Sequence, residues 1–425
     1  MTSRIDRRGA VDVARVGALV LVVLGHLSLA VIDRGPDGAL RGENLLALHP
    51  GLAWLAMLAP MPVFFAAAGW ANATVSAARA SRRLASLVGL GAVVVMVWAT
   101  AAGVEVLMRG ESGIVGDGAR LATQPMWFLA AYVPFAAGGT GMTRLARRPV
   151  LTVGACLAAL ALLDAARFAW HEPEAVGWPG FLLAWGVPWL LGAWWRERED
   201  GTGHESRREA RAGLVLAVLS AAAAAALVML AGYFPALIDA VPGKRSNTTP
   251  PTLFTAVAGM VQVGVLMMAA GGLDRVARRW RRLLDRSGEA AVAVYAWHLT
   301  AFALCAVLLA AGVWAPDRFG LVWWLTRPLW FALVLAVTAV FVAATGRLRG
   351  PGRARNDSTL RDGARSTGRV WVGVVATVIG AAVVGRWGPR TVEGAGLSLI
   401  GLGLGWWFLA GTPSPRGRVR RPSAA

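Results

Sequence analysis

Lysine is almost missing from this chain. Lys244 stands alone, and 42 of the 43 basic side chains are arginine. Charge is scarce as well, at 16% of 425 residues, where soluble domains carry about 25%. Cysteine occurs twice, as Cys156 and Cys305, and both lie inside apolar runs. That leaves no disulfide framework and no cysteine metal spacing, and small apolar packing is the reading for both. No Walker loop, Rossmann glycine pattern or zinc motif is present, so no metal and no resident cofactor is expected. The 51 glycines show no period of three, which excludes a collagen-like chain. Hydrophobic residues reach 56% and the mean hydropathy is +0.54, which excludes a disordered one. A net charge of +19 in a soluble protein would point to nucleic acid. Here it sits among apolar runs near 20 residues, so the expected partner is the lipid bilayer and not nucleic acid.

What the chain does have is twelve such runs. They cover about 11–32, 50–76, 85–108, 125–140, 150–168, 179–195, 212–233, 252–272, 289–312, 320–346, 370–387 and 395–411. The fourth is short and carries Pro134. The first holds Asp12 and Arg15 and has no small-residue cleavage site, so it reads as a span and not as a signal peptide. Arginine tests the count, because cytoplasmic loops are enriched in it. With the N-terminus inside, the inside segments hold 31 of the 43 cations and the outside ones, taken with the span ends beside them, 11, and Arg15 is left within a span. Every inside segment exceeds every outside one. The expected fold is an all-α polytopic membrane helix bundle with ten core helices, a C-terminal pair and both termini cytoplasmic. The expected organisation is a ten-span domain over 1–346, an Arg/Gly-rich linker over 347–369, a two-helix hairpin over 370–411 and a basic tail over 412–425. No loop is large enough for a soluble domain of about 100 residues, so any chemistry belongs to the membrane part.

Ionisable groups inside a span are costly and are functional candidates by default. The first span holds Asp12, Arg15 and His26. Arg15 and His26 are 11 residues apart, about three helical turns, so they share a face at about 16 Å along the axis. Asp12 is one turn before Arg15, at pairing distance. The stripe reads as an ion pair near the cytoplasmic end and a lone imidazole near mid-membrane. A neutral imidazole can take the proton of an alcohol that attacks an acyl group. Arginine suits the phosphates of a long anionic donor. The plainer alternative is a packing histidine and a snorkelling arginine.

These residues, with further motifs in order along the chain, resemble the membrane acyltransferase type 3 family. Asp12-x-x-Arg15, ten residues and then His26 resemble its first-helix signature. Pro62-Val-Phe-Phe with Gly69-Trp70 is similar to its second-helix motif, although Ala68 and Trp70 stand where the family has serine and phenylalanine. Arg79-x-x-Arg82-Arg83 resembles the following RxxR pair. Gln124-Pro-Met-Trp127-Phe128-Leu129 and Val294-Tyr295-Ala-Trp-His298-Leu299 resemble two later elements. The resemblance covers about 8–346. It implies O-acylation, with acetyl the usual group, moved from cytoplasmic acyl-CoA to a carbohydrate, a cell-envelope glycan or another hydroxylated acceptor. It implies His26 as base, Arg15 as donor-orienting group with Asp12 its partner, and Arg79, Arg82 and Arg83 at the donor's mouth. Trp127, Tyr295 and His298 would support the site. The implied setting is the bacterial cytoplasmic membrane.

Other readings stand beside these. The three loop arginines are also what the topology rule alone produces, and Trp127 is one of 20 tryptophans of a kind that line membrane interfaces. His298, placed in the cytoplasmic half of its span, is a partner histidine or a core one. Glu105, Asp164, Arg167 and Asp239 read as interface anchors, and Arg327 as a candidate for acceptor binding. His49, His171 and His204 lie in loops without ligand spacing. The competing function is a transporter of a polar or glycan-type substrate, whose inverted repeats and paired broken helices are not visible here.

Overall fold

The computed structural model describes residues 8–34, 40–198, 205–238, 241, 243–310, 312–313, 316–349 and 367–410. Most of the 347–369 linker, the 412–425 tail, Arg4, Arg7, His204 and Asp239 lie outside the described residues. The long helices are α1 (Gly9–Leu29), α3 (Met61–Asn72), α4 (Ala77–Arg109), α6 (Trp127–Ala146), α7 (Pro149–Phe168) and α8 (Gly180–Glu197). They continue with α9 (Glu205–Ala231), α10 (Leu253–Ala310), α11 (Leu321–Arg349), α12 (Thr367–Trp387) and α13 (Val392–Ala410). Short helices α2 (Leu45–Leu48) and α5 (Ile114–Thr123) lie between them. The fold is an all-α polytopic bundle, and eleven stretches among the described residues are long and apolar enough to cross a membrane.

The expected fourth span is the exception. It forms α6, but Gly139 at φ +41° breaks that helix after its first three turns. Its ends still reach opposite faces. Near the start, the Trp127 Cβ approaches Gly385 late in α12, and near the end the Thr143 hydroxyl donates to Ala73 O at 3.4 Å. The second span is composite, a 3-10 segment over Pro50–Leu58 followed by α3, because Pro60 and Pro62 interrupt regular helical bonding. The eighth and ninth spans are not separated by a loop. Residues 275–286 stay helical within α10, whose direction breaks at Trp280. On both sides of the break α10 runs alongside α1: before it Asp274 meets Ala10, and beyond it Gly288 meets Arg15 and His298 meets His26.

The first span also ends sooner than its apolar run. After Leu29 the chain forms strand β1 (Ala30–Arg34), paired antiparallel with β2 (Leu40–Asn44), Ala30 opposite Asn44. The sequence signal for this hairpin is Gly35-Pro36-Asp37-Gly38, a turn-forming run.

Polar contacts sort the helix ends onto two faces. Arg8 binds Glu209 at 2.6 Å and Asp274 at 3.5 Å, Arg147 binds Glu197 at 3.0 Å, Arg196 stacks on Trp70, and Ser81 donates to Leu409 O at 2.9 Å. These are the ends that the arginine count puts together. On the opposite face Arg390 pairs with Asp117, Arg318 pairs with Glu43, and Arg327 donates to Ala30 O at 3.4 Å.

Three residues read as interface anchors are buried instead. Glu105 accepts from the backbone N–H groups of Gly113, Val115 and Gly116 at 2.9–3.0 Å and so caps α5. Asp164 accepts from the Tyr233 hydroxyl and from Leu253 N, both at 2.7 Å, with Arg167 at 3.6 Å. Burial and that carboxylate push the Tyr233 phenol well above its ordinary range. The two carboxylates stay inside because backbone N–H groups satisfy them, where an unpaired group would cost more than an ordered one.

Small residues let α3 and α8 touch. A Cβ at Gly69 would collide with Trp189 O, and one at Gly192 with Ala66 O. This close approach is a common way for membrane helices to pack. Beside it, α12 and α13 contribute Val374, Ala381, Val384, Leu402 and Leu409 to one buried cluster with Leu84, Val88 and Phe128.

Candidate active site

The stripe on α1 is present, but it is not built as the sequence implied. Arg15 meets Asp12 at 3.4 Å, one turn away. Its Nε is buried and has no partner among the described residues. His26 is not a lone imidazole. It lies in the last turn of α1, where Ala30 N–H donates to its carbonyl.

Its partner is His298, the other histidine inside a span. His26 Nδ1 lies 3.0 Å from His298 Nε2, and the rings stack with centroids 5.1 Å apart. His298 is fully buried. It sits level with the last turn of α1.

The hydrogen-bond partners assign the protons. His298 Nδ1 is 2.8 Å from Tyr295 O, and a carbonyl only accepts, so Nδ1 carries the hydrogen. In the neutral ring, His298 Nε2 is then the acceptor. His26 Nδ1–H donates to it, and the lone pair of neutral His26 is left on Nε2. The pair therefore presents one basic nitrogen, oriented by a second ring that is itself fixed by backbone.

Tyr295 ties this pair to the other motifs. Its hydroxyl donates to Pro125 O at 3.2 Å, and its ring packs on Phe128 at 5.3 Å and on His298 at 5.9 Å. Phe64 and Phe65 reach the same Phe128 at 5.2 and 5.6 Å. Trp127 is one ring removed, against Trp185 at 5.5 Å and Phe181 at 6.1 Å. The structure thus brings together Pro62–Phe65, Gln124–Leu129 and Val294–Leu299 around the histidine pair.

Arg79, Arg82 and Arg83 are elsewhere. They occupy the first two turns of α4, where neighbouring Ser81 holds the end of α13. Arg79 and Arg83 are exposed and Arg82 is half-buried. They share the arginine-rich face with Asp12 and Arg15. Among the described residues no group of three or more His, Cys, Asp or Glu is placed to hold a metal ion.

The pairing of His26 with His298 could not be read from spacing, since 272 residues separate them. The available signal was composition: of five histidines, only these two fall inside spans.

Comparison with known families gives one match. A family model described as an acyltransferase domain, of the type 3 class, matches residues 8–346. That range contains both histidines and ends before α12. No curated protein and no solved structure matches the chain.

Proposed function

Because the chain belongs to the type 3 acyltransferase family, we propose that this multi-pass membrane protein is an O-acyltransferase. In this reading it moves an acetyl or similar acyl group from acyl-CoA to a hydroxyl of a carbohydrate, cell-envelope glycan or other hydroxylated acceptor. The observation that carries the proposal is the 3.0 Å contact between His26 and His298 within the matched residues.

The reaction follows from the proton assignment. The acceptor O–H gives its proton to His26 Nε2 as the oxygen attacks the thioester carbonyl. A tetrahedral intermediate forms. Its C–S bond breaks, and the departing sulfur takes the proton back from His26. One C–O bond has formed, one C–S bond has broken, and a proton has moved from oxygen to sulfur. His298 holds the His26 ring and accepts from its Nδ1–H while the ring is an imidazolium. That is the orienting role the third member plays in a catalytic triad.

Arg15 lies about 16 Å from His26 along α1, toward the arginine-rich face. Its unpartnered Nε suits an anionic or carbonyl oxygen of the donor. Arg79, Arg82 and Arg83 would meet the donor at the mouth. The arginine-rich face is then the cytoplasmic one, where acyl-CoA is made, in a bacterial cytoplasmic membrane.

The test is purified protein with radiolabelled acetyl-CoA and fractionated cell-envelope material. Label enters the acceptor fraction with the wild type. His26→Ala, still folded by its thermal melt, loses about 10²–10⁴ in rate. Full acylation by that variant would sink the mechanism.

A further inference from the structure

Beside the Asp12–Arg15 pair, a cavity of about 280 Å³ opens between the first turn of α1 and the 274–285 stretch of α10. Its charged lining is Arg8, Asp12, Asp274, Arg278, Arg281 and Asp285. By count it is neutral, but most of these charges are already engaged. Asp12 faces Arg15 at 3.4 Å. Asp274 accepts from Ala10 N at 2.6 Å and meets Arg8 at 3.5 Å, and Asp285 has a partner of its own. Arg8 is forked onto Glu209 at 2.6 and 2.7 Å and stacked on Trp195.

Arg278 and Arg281 remain. Neither has a hydrogen bond or ion pair among the described residues. They flank the break in α10 at Trp280 and line the same cavity. Among the described residues, the free charge of this cavity is two guanidinium groups, which suit forked binding of phosphate oxygens. Arg79, Arg82 and Arg83 do not line it.

We propose that Arg278 and Arg281 bind the phosphates of the donor's nucleotide. This rests on the acyl-CoA reading above and moves its anchoring point from the start of α4 to the bend of α10. The position fits the chemistry. Asp12 forms a wall of the cavity and holds Arg15, and from Asp12 the stripe on α1 runs about 21 Å to His26. A pantetheine arm following that stripe carries its thioester from the phosphates to the histidine pair.

The experiment compares two donors on the full chain in nanodiscs. Acetyl-CoA carries the nucleotide phosphates and S-acetylpantetheine does not. In the double variant Arg278→Ala/Arg281→Ala, KM for acetyl-CoA rises about tenfold to hundredfold with kcat kept. KM for S-acetylpantetheine is unchanged, a split that a merely structural role would not give. Competitive inhibition by adenosine 3′,5′-bisphosphate weakens in parallel, and Arg278→Lys/Arg281→Lys restores part of it. Equal rises for both donors, or inhibition as strong as in the wild type, would overturn the cavity assignment alone. A wild type that neither uses acetyl-CoA nor is inhibited by the bisphosphate would overturn the donor reading, and the cavity with it.

Discussion

His26 has one useful nitrogen because His298 occupies the other. A histidine bonded only to its own helix would be free to rotate about χ2, and either nitrogen could meet the substrate. The Tyr295 carbonyl removes that freedom at one remove, by fixing the His298 tautomer. This predicts a graded loss. His298→Ala leaves His26 without an acceptor and lowers kcat by up to about 10⁴, the loss seen when the orienting member of a catalytic triad is changed. His298→Gln can place an amide oxygen near the same point and retains about tenfold more activity than the alanine variant. Single-turnover acyl transfer measures both, and equal loss in the two variants would remove the orienting role. The site's motifs were legible at this scale, since His26, Tyr295, His298 and Phe128 all belong to segments that the sequence singles out. Which groups touch was not legible, because it depends on α1 and α10 running side by side across 272 residues of chain.

At the scale of elements, the site depends on helices held closer than side chains normally permit. α3 carries Phe64 and Phe65 to Phe128, and α8 supports α3 through Gly69 and Gly192. A side chain at Gly192 must push the two backbones apart, an overpacking cost of about 1–3 kcal/mol. Gly192→Leu is therefore expected to lower the melting temperature in detergent and to reduce acyl transfer. Gly154→Leu on α7, where nothing lies within 4 Å, is expected to change neither. Equal melts for the two variants would show that the close approach matters little. The sequence pattern marked these helices by length and hydropathy alone. It overextended α1 into a strand and missed the break at Gly139, since local backbone geometry leaves little trace in hydropathy.

The whole molecule has two faces, and the arginines mark one of them. Helix ends linked by Arg8, Ser81, Arg147 and Arg196 are the ends that alternate loop counting assigns together. The positive-inside rule predicts that this is the cytoplasmic face. Single cysteines at Arg147 and at Asp117 report it directly, once Cys156 and Cys305 are replaced. A membrane-impermeant maleimide on intact cells labels the Asp117 position, while the Arg147 position reacts only after permeabilisation. The reverse pattern would invert the topology and place the donor cavity on the outside. The C-terminal pair belongs to the same body, since α12 and α13 share a buried cluster with α4 and α6 although the matched domain ends at residue 346.

The sequence alone determined the class of protein, eleven of its twelve expected apolar spans, the alternation of its arginines along the chain and the motifs that resemble the family. Those properties are local or cumulative: each depends on a window of residues or on a count, and hydropathy and charge report both. Tertiary structure decided the rest. It ended α1 one turn beyond His26, set His298 against it, buried Glu105 and Asp164 behind backbone donors, and placed Arg278 and Arg281 in one cavity with Asp12. A proton's position and a charge's partner are set by atoms about 3 Å away, and at the histidine pair those atoms come from segments 272 residues apart.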